Sequence, residues 1–409
     1  MNYADSPVAL VTGATGVAGA SIVEYLSEEA GWQVVALSRS AASVFASSPR
    51  VTPVSADMLD PEQLRVRLGG LRITHLFHAA EYRLPWPNDS KQKPTNVRAM
   101  KTMLNLSRPF VPLVAGLGRV SDRIYYTPIA KAAGLYDPDK RNLAMLRNVV
   151  ETLERSPHAL RHVSTITGGR YNGMHLGPYL YPAWKIPFEE TDPPHPGPSW
   201  YFDIEGYLKN RQNRAWTWSV ARPSFIIGFT SRAAHNFGTA IAVYASVLKK
   251  LGEPLAFPGG EGAYSCVWEA SSANLLARVM HWSATEPAAA DNVFNLVNGN
   301  TFRWCDLWPR IAEYFGMECV HTKDGFSVQR KFLGKETLWR ELVAEHGLQK
   351  YELRELMSPR FLDESMVIDW DVVFSMEKAR RLGFDATVDN AQMFCSLFDR
   401  LREKKIIPG

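Results

Sequence analysis

Thr12-Gly13-Ala14-Thr15-Gly16-Val17-Ala18-Gly19 decides the fold of this chain. The stretch directly follows an apolar run, Val8 to Thr12, and opens a helical pattern, Ala20 to Glu28. A glycine at the end of a strand allows a tight turn. A second lets backbone approach a pyrophosphate, and a third lets helix and strand pack closely. The helix start adds amide donors and a dipole that favours an anion. Thr12, Gly13, Thr15, Gly16, Val17 and Gly19 are therefore the expected dinucleotide-binding residues.

Outward from this turn, β-branched runs alternate with helical patterns, as in βαβ units on a parallel sheet. Strands are expected at Trp32 to Leu37, Val51 to Val54, Ile73 to Ala79, Leu160 to Thr165 and Trp216 to Val220. Helices are expected at Pro61 to Leu68, Asn142 to Leu153 and Tyr201 to Arg211. The pattern is that of an α/β protein with a Rossmann-type doubly wound parallel sheet over residues 1–228. A smaller, mainly helical substrate-covering domain follows over 229–409, and the chain is free to pass between the two more than once. Two segments break the rhythm: an insertion at about 86–137, and the Pro-, Gly- and Tyr-rich stretch from Gly168 to Ser199. Loops this long in compact domains tend to be binding loops or lids, or else disordered.

The end of the second strand bears on the choice of nucleotide. NAD sites usually place an acid there for the ribose 2′-hydroxyl. Here the residues are Ser38-Arg39-Ser40, with no acid nearby. A forked guanidinium and two hydroxyls suit the 2′-phosphate of NADP(H). Asp57-Met58 stands where such folds meet the adenine ring, and Ala79-Ala80 where the chain passes the cofactor.

The net charge of +4 is spread thinly, and no basic stripe is interleaved with aromatics, so nucleic acid is not an expected partner. No apolar run reaches the ~20 residues of a membrane span. Cys266, Cys305, Cys319 and Cys395 lie far apart without metal-like spacing. They are read as reduced thiols of a cytoplasmic protein with no metal site.

Several motifs together carry a resemblance. They are Arg161-His162-Val163-Ser164-Thr165-Ile166-Thr167-Gly168-Gly169, Leu176-Gly177-Pro178-Tyr179, and Trp216-Thr217-Trp218-Ser219-Val220-Ala221-Arg222-Pro223 with Gly228-Phe229. Leu255-Ala256-Phe257-Pro258-Gly259, Phe294-Asn295-Leu296-Val297-Asn298-Gly299 and Lys405-Ile406-Ile407-Pro408 continue the series. With them the chain resembles the progesterone 5β-reductase/iridoid synthase family, apart from roughly Trp86 to Asp137. The resemblance implies an NADPH-dependent reductase of activated C=C bonds, on an extended short-chain dehydrogenase/reductase fold with a helical lid.

The family's Asn-Phe-Tyr-Tyr motif stands here as Ser199-Trp200-Tyr201-Phe202, which maps its catalytic tyrosine to Tyr201. A phenol aimed at the substrate carbonyl stabilises the charge that builds there after hydride arrives at the β-carbon. The Tyr-x-x-x-Lys of ordinary short-chain dehydrogenases is absent, because Glu205 occupies the lysine place. The family's Thr-Gly-x-Lys stands as Thr167-Gly168-Gly169-Arg170, so Arg170 is the expected catalytic cation. An arginine there supplies charge but cannot shuttle a proton. Tyr201, Pro223 and Ile226 are also implied on the nicotinamide side. Tyr171 and Tyr179, with Met174, Tyr181 and Trp184, are expected to line an apolar pocket for a small hydrophobic substrate. The insertion either reshapes the pocket mouth or forms a surface or homodimer contact. Three alternatives stay open: a carbonyl reductase or alcohol dehydrogenase, a non-redox cyclase or isomerase that keeps NADP(H), and a nucleotide sensor without turnover.

Overall fold

The computed structural model describes residues 7–41, 45, 49–82, 140–156, 160–181, 184–195, 199–231 and 233–409. The insertion expected at 86–137 lies outside these residues.

Six strands follow the expected rhythm: β1 (Val8–Thr12), β2 (Gln33–Ser38), β3 (Val51–Ser55), β4 (His75–His78), β5 (His162–Ile166) and β6 (Thr217–Pro223). Short two-stranded pairs come next. β7 (Phe225–Ile227) joins β10 (Ala270–Ser272), β8 (Leu255–Phe257) joins β13 (Cys319–His321), and β9 (Val267–Trp268) joins β12 (Phe302–Arg303). The main sheet has seven strands in the order β11-β6-β5-β4-β1-β2-β3, where β11 is Asn292–Leu296, and every pairing is parallel. Both neighbours of β1 are strands whose connections wind in opposite directions. That makes the ends of β1 and β4 the topological switch point, where open α/β sheets bind ligands.

The strands are buried almost throughout because both faces are covered. Helices α1 (Val17–Glu24) and α6 (Ala273–Thr285) pack on the face carrying Ala9, Val11, Phe77, Ala221 and Phe294. Helices α2 (Pro61–Leu68), α3 (Lys140–Glu154) and α4 (Trp200–Asn210) cover Leu10, Leu76, Val163, Trp218 and Val220 on the other. Local chemistry sets where the helices start. Asp60 accepts from the amides of Glu62 and Gln63 ahead of Pro61, and Ser272 caps α6 through the Leu275 amide. Beyond the sheet, α5 (Phe237–Lys250), α7 (Trp304–Phe315) and α8 (Asn390–Glu403) surround the fully buried Trp268, Trp304, Trp308 and Trp339. Both α6 and β11 come from the segment assigned to the substrate-covering domain. The chain thus returns to the dinucleotide sheet after Phe229.

A run of neutral imidazoles lies inside the sheet layers. His162 joins Thr217 Oγ1 at 2.8 Å and Ser219 Oγ at 2.9 Å, and His75 joins Thr74 Oγ1 at 2.8 Å. Desolvation, with charge repulsion from Arg161 and His281, holds His75 down at about 4. Desolvation, then His75, holds His162 at about 3, while desolvation alone puts His78 at about 4. In the unfolded chain each takes up a proton near pH 6.5, and in the folded chain it does not. Stability is therefore complete above pH 6.5 and falls as pH drops from there towards 4. At pH 5 the loss is about 2 kcal/mol for each such histidine. Urea unfolding at pH 7 and pH 5 tests this, with the midpoint expected to fall clearly at pH 5. A midpoint constant over that range would show that these imidazoles are solvated.

Candidate functional site

The site begins at the turn after β1. Gly13 has φ +67°, and a Cβ there would lie 2.7 Å from Ala80 Cα and 2.8 Å from the Ala79 carbonyl. Only glycine fits this backbone against the end of β4. The Gly16 amide donates to Gly13 O at 2.9 Å, and a Cβ at Gly19 would come within 2.1 Å of the same oxygen. Gly16 caps α1 with no side chain, and no acid stands in the first turn of the helix. First-turn amides of a helix have no intrahelical acceptor. With the helix dipole, they form a cradle that fits a pyrophosphate. The back of the turn is pinned where Thr230 Oγ1 donates to Thr15 O at 2.9 Å.

Thr12 Oγ1 meets His78 Nδ1 at 2.8 Å below the turn, while His78 Nε2 is buried with no partner among the described residues. At the end of β2, Ser38 is buried and its Oγ accepts from the Ser40 amide at 3.2 Å, leaving Arg39 and Ser40 exposed. Asp57 is exposed and turns its carboxylate to the Leu59 amide, Met58 is buried, and Ala79 and Ala80 are half-buried.

The second half of the site is built on α4. Ser199 caps the helix by accepting from the Tyr201 amide at 3.3 Å, which places Tyr201 in its first turn. The half-buried phenol lies against the loop after β5, where a Cβ on Gly168 would be 3.4 Å from Tyr201 Oη and 3.3 Å from Pro223 O. Loop, strand end and tyrosine thus meet at one point at the carboxyl edge of the sheet. Ile226 is half-buried in β7.

One turn beyond Tyr201, Glu205 is 1% exposed and grips Arg222, also 1% exposed, from the end of β6. Arg222 Nε and Nη2 donate to the two carboxylate oxygens at 2.8 Å each. Thr167 Oγ1 and Lys209 Nζ also donate to Glu205, both at 3.1 Å, and Arg222 Nη1 reaches Glu190 O at 3.4 Å. The Tyr171 ring covers the guanidinium at 3.4 Å and meets Phe202 edge-on.

Arg170 is exposed on the short turn Gly169–Asn172, so the buried cation beside α4 is Arg222. Burial, then His195, then Arg170 hold the His175 imidazole well below its usual range, so it is neutral. The aromatic loop packs inward more than expected. Met174 and Tyr181 are core residues, and Trp184 meets Phe188 and Trp370 edge-on. The side chain of Tyr179 lies outside the described residues. From the C-terminal segment, Trp370 Nε1 donates to Met174 O at 2.9 Å, and Phe374 fills the space that a Gly169 Cβ would take, 2.3 Å from its Cζ. Glu269 accepts from the Phe374 amide at 2.7 Å, and burial raises its carboxyl to about 7.

Sequence reasoning had Glu205 only as a missing lysine and Arg222 only as part of a motif. The available signal was an arginine inside a buried strand run, between Ala221 and Pro223. Nothing comparable pointed to Glu269, Trp370 or Phe374, which reach the site from distant parts of the chain.

Among the described residues no helix is long and apolar enough to cross a membrane. A family model described as a PRISE-like Rossmann-fold domain matches residues 85–408, and one for the NAD dependent epimerase/dehydratase family matches residues 9–115. The first names a Rossmann fold and the second NAD, and together they imply a nicotinamide dinucleotide. A 3-oxo-Delta(4,5)-steroid 5-beta-reductase of Arabidopsis thaliana is 28% identical over 98% of this chain and 93% of its own length. An (S)-8-oxocitronellyl enol synthase of Catharanthus roseus is 27% identical over 98% and 92%. Among solved structures, the UDP-glucose 4-epimerase of Thermus thermophilus in complex with NAD superposes with a TM-score of 0.55 at 15% identity. The superposition covers 97% of this chain and 99% of that one, and it speaks for the fold alone.

Proposed function

The chain belongs to the PRISE-like Rossmann-fold family, and from that membership we propose that it is an NADPH-dependent reductase of the activated C=C bond of a small hydrophobic enone. The observation that carries the reading is the Tyr201 phenol, set against the Gly168 backbone at the carboxyl edge of the sheet. Bound NADPH supplies a hydride. The first-turn amides of α1 hold the pyrophosphate. Ser38, Arg39 and Ser40 would hold the 2′-phosphate, Asp57 and Met58 would meet the adenine, and Ala79 and Ala80 would contact the cofactor. Pro223 and Ile226 border the nicotinamide side. Tyr201 donates to the carbonyl oxygen, where charge develops as the β-carbon is reduced. Tyr171, half-buried beside Phe202, would contact the substrate. The named activities of the steroid reductase and the enol synthase support this substrate class.

The test follows NADPH consumption and product mass together, on 2-cyclohexen-1-one and on a 3-oxo-Δ4-steroid. One equivalent of NADPH consumed per gain of two hydrogens, with the carbonyl retained, is the expected result. An allylic alcohol would assign a carbonyl reductase. An isomer formed with NADPH unchanged would assign a cyclase or isomerase.

Cofactor preference follows from the end of β2. Arg39 is exposed there with no carboxylate beside it in sequence, so NADPH should bind at least tenfold more tightly than NADH, about 1.4 kcal/mol. Arg39→Ala should lose most of that preference in fluorescence titrations of the two nucleotides. Equal affinities in the unsubstituted protein would remove the NADP assignment.

A further inference from the structure

We propose that the buried Glu205–Arg222 pair is the positioning element for Tyr201, serving by geometry where other dehydrogenases use a lysine. This rests on the reading of Tyr201 as the oxyanion partner. Tyr201 and Glu205 stand four residues apart on α4, one turn of the same face. Through Glu205 and Arg222 that face is tied to two segments that meet at the phenol among the described residues. Arg222 brings the end of β6, next to the Pro223 carbonyl, and Thr167 brings the loop whose Gly168 touches the phenol. Arg222 also fixes the Glu190 carbonyl and carries the Tyr171 ring, which itself packs on Phe202.

The energetics favour position over stability. Taking both charges out of water costs several kcal/mol, and well-packed apolar residues often replace such pairs without loss of stability. A bidentate guanidinium–carboxylate contact, however, fixes distance and plane together in a way that an apolar contact does not. The phenol must sit within a few tenths of an ångström of its hydrogen-bonding position on the carbonyl oxygen to act on developing charge. Arg222, 1% exposed and donating three hydrogen bonds, transfers no proton and orders the elements around Tyr201.

A double-mutant cycle tests this, with NADPH and 2-cyclohexen-1-one. Arg222→Lys keeps the charge and loses the fork. With Tyr201 present it should lower kcat at least tenfold, while the Kd for NADPH and the melting midpoint stay close to those of the parent protein. In the Tyr201→Phe background the same change should cost less than twofold, because there is no phenol left to misplace. Equal losses in both backgrounds would overturn the proposal. Full turnover in Tyr201→Phe alone would instead remove the reading of Tyr201, and the proposal with it.

The apolar pair Glu205→Leu/Arg222→Met guards against an uncompensated buried charge. It should fold, bind NADPH and remain at least tenfold slow. Full kcat in this variant would also overturn the proposal, and so would failure of every pair variant to fold, which would make the pair a folding requirement. Fluorine NMR of the cofactor-free, fluorotyrosine-labelled protein gives a readout independent of turnover. The resonance missing from Tyr201→Phe should shift or split in Arg222→Lys. An unchanged resonance would count against positioning.

Discussion

Tyr201→Phe should bind NADPH as the parent protein does and turn over about 100- to 1,000-fold more slowly, the usual scale for removing one oxyanion donor. The substitution deletes a single oxygen. The ring keeps its packing on Trp200, with centroids 4.2 Å apart, and the Ser199 cap acts on the Tyr201 amide, so the helix start is unaffected. The effect should therefore appear in kcat and kcat/KM together, with KM little changed, as for an interaction made only in the transition state. Steady-state kinetics on the responding enone, beside a fluorescence titration of NADPH, measure both quantities. A tenfold loss of nucleotide affinity would recast Tyr201 as chiefly a cofactor contact. Near-normal turnover would exclude it as the oxyanion partner.

Gly19→Ala should be a severely damaging single methyl in the nucleotide half of the protein. The new Cβ would fall 2.1 Å from Gly13 O, 2.6 Å from Gly13 C and 2.9 Å from Ala14 Cα. All three are backbone atoms of the phosphate turn, so no side chain can swing aside. Either α1 moves off β1 or the turn opens, and both displace the amides that hold the pyrophosphate. Overpacking of this kind costs about 1–3 kcal/mol. Drawn from binding alone, that is roughly a 5- to 150-fold loss of NADPH affinity. Gly206→Ala is the matched control, since its Cβ would meet nothing within 4 Å and alanine suits a helix better than glycine. Titration of both variants decides the matter. Unchanged affinity in Gly19→Ala would mean that the turn does not carry the nucleotide.

The dinucleotide half was legible in the sequence because its signals are local. β1 and α2 stand where the sequence pattern puts them, and β2 to β6 begin or end within a few residues of expectation. Tyr201 was legible only through resemblance, since an aromatic at a helix start is ordinarily core. The Gly168–Ser199 stretch was expected to be irregular. Among its described residues it is mostly so, with short helical turns at Gly169–Asn172 and Gly177–Leu180. What the sequence did not reveal depends on contacts between distant segments. The Glu205–Arg222 pair joins a helix to a strand, and Glu269 reaches Phe374 across more than a hundred residues. The inward packing of Met174 follows from the arrival of Trp370 and Phe374, which no local pattern announces. The last strand, β11, has the form of an ordinary apolar run, and only its pairing with β6 makes it part of the main sheet.

That pairing bears on how such a protein can change over generations. β11 supplies the outer neighbour of β6, with Phe294 opposite Ala221 and Asn295 opposite Arg222. A gene cut after residue 228 would leave β6 as a bare, largely apolar sheet edge, the kind that recruits other chains. The strand carrying Arg222 would also lose the neighbour that holds it in register. A cut after residue 228 therefore does not yield a self-contained sheet, and residues 292–296 belong to the same frame as the phosphate turn.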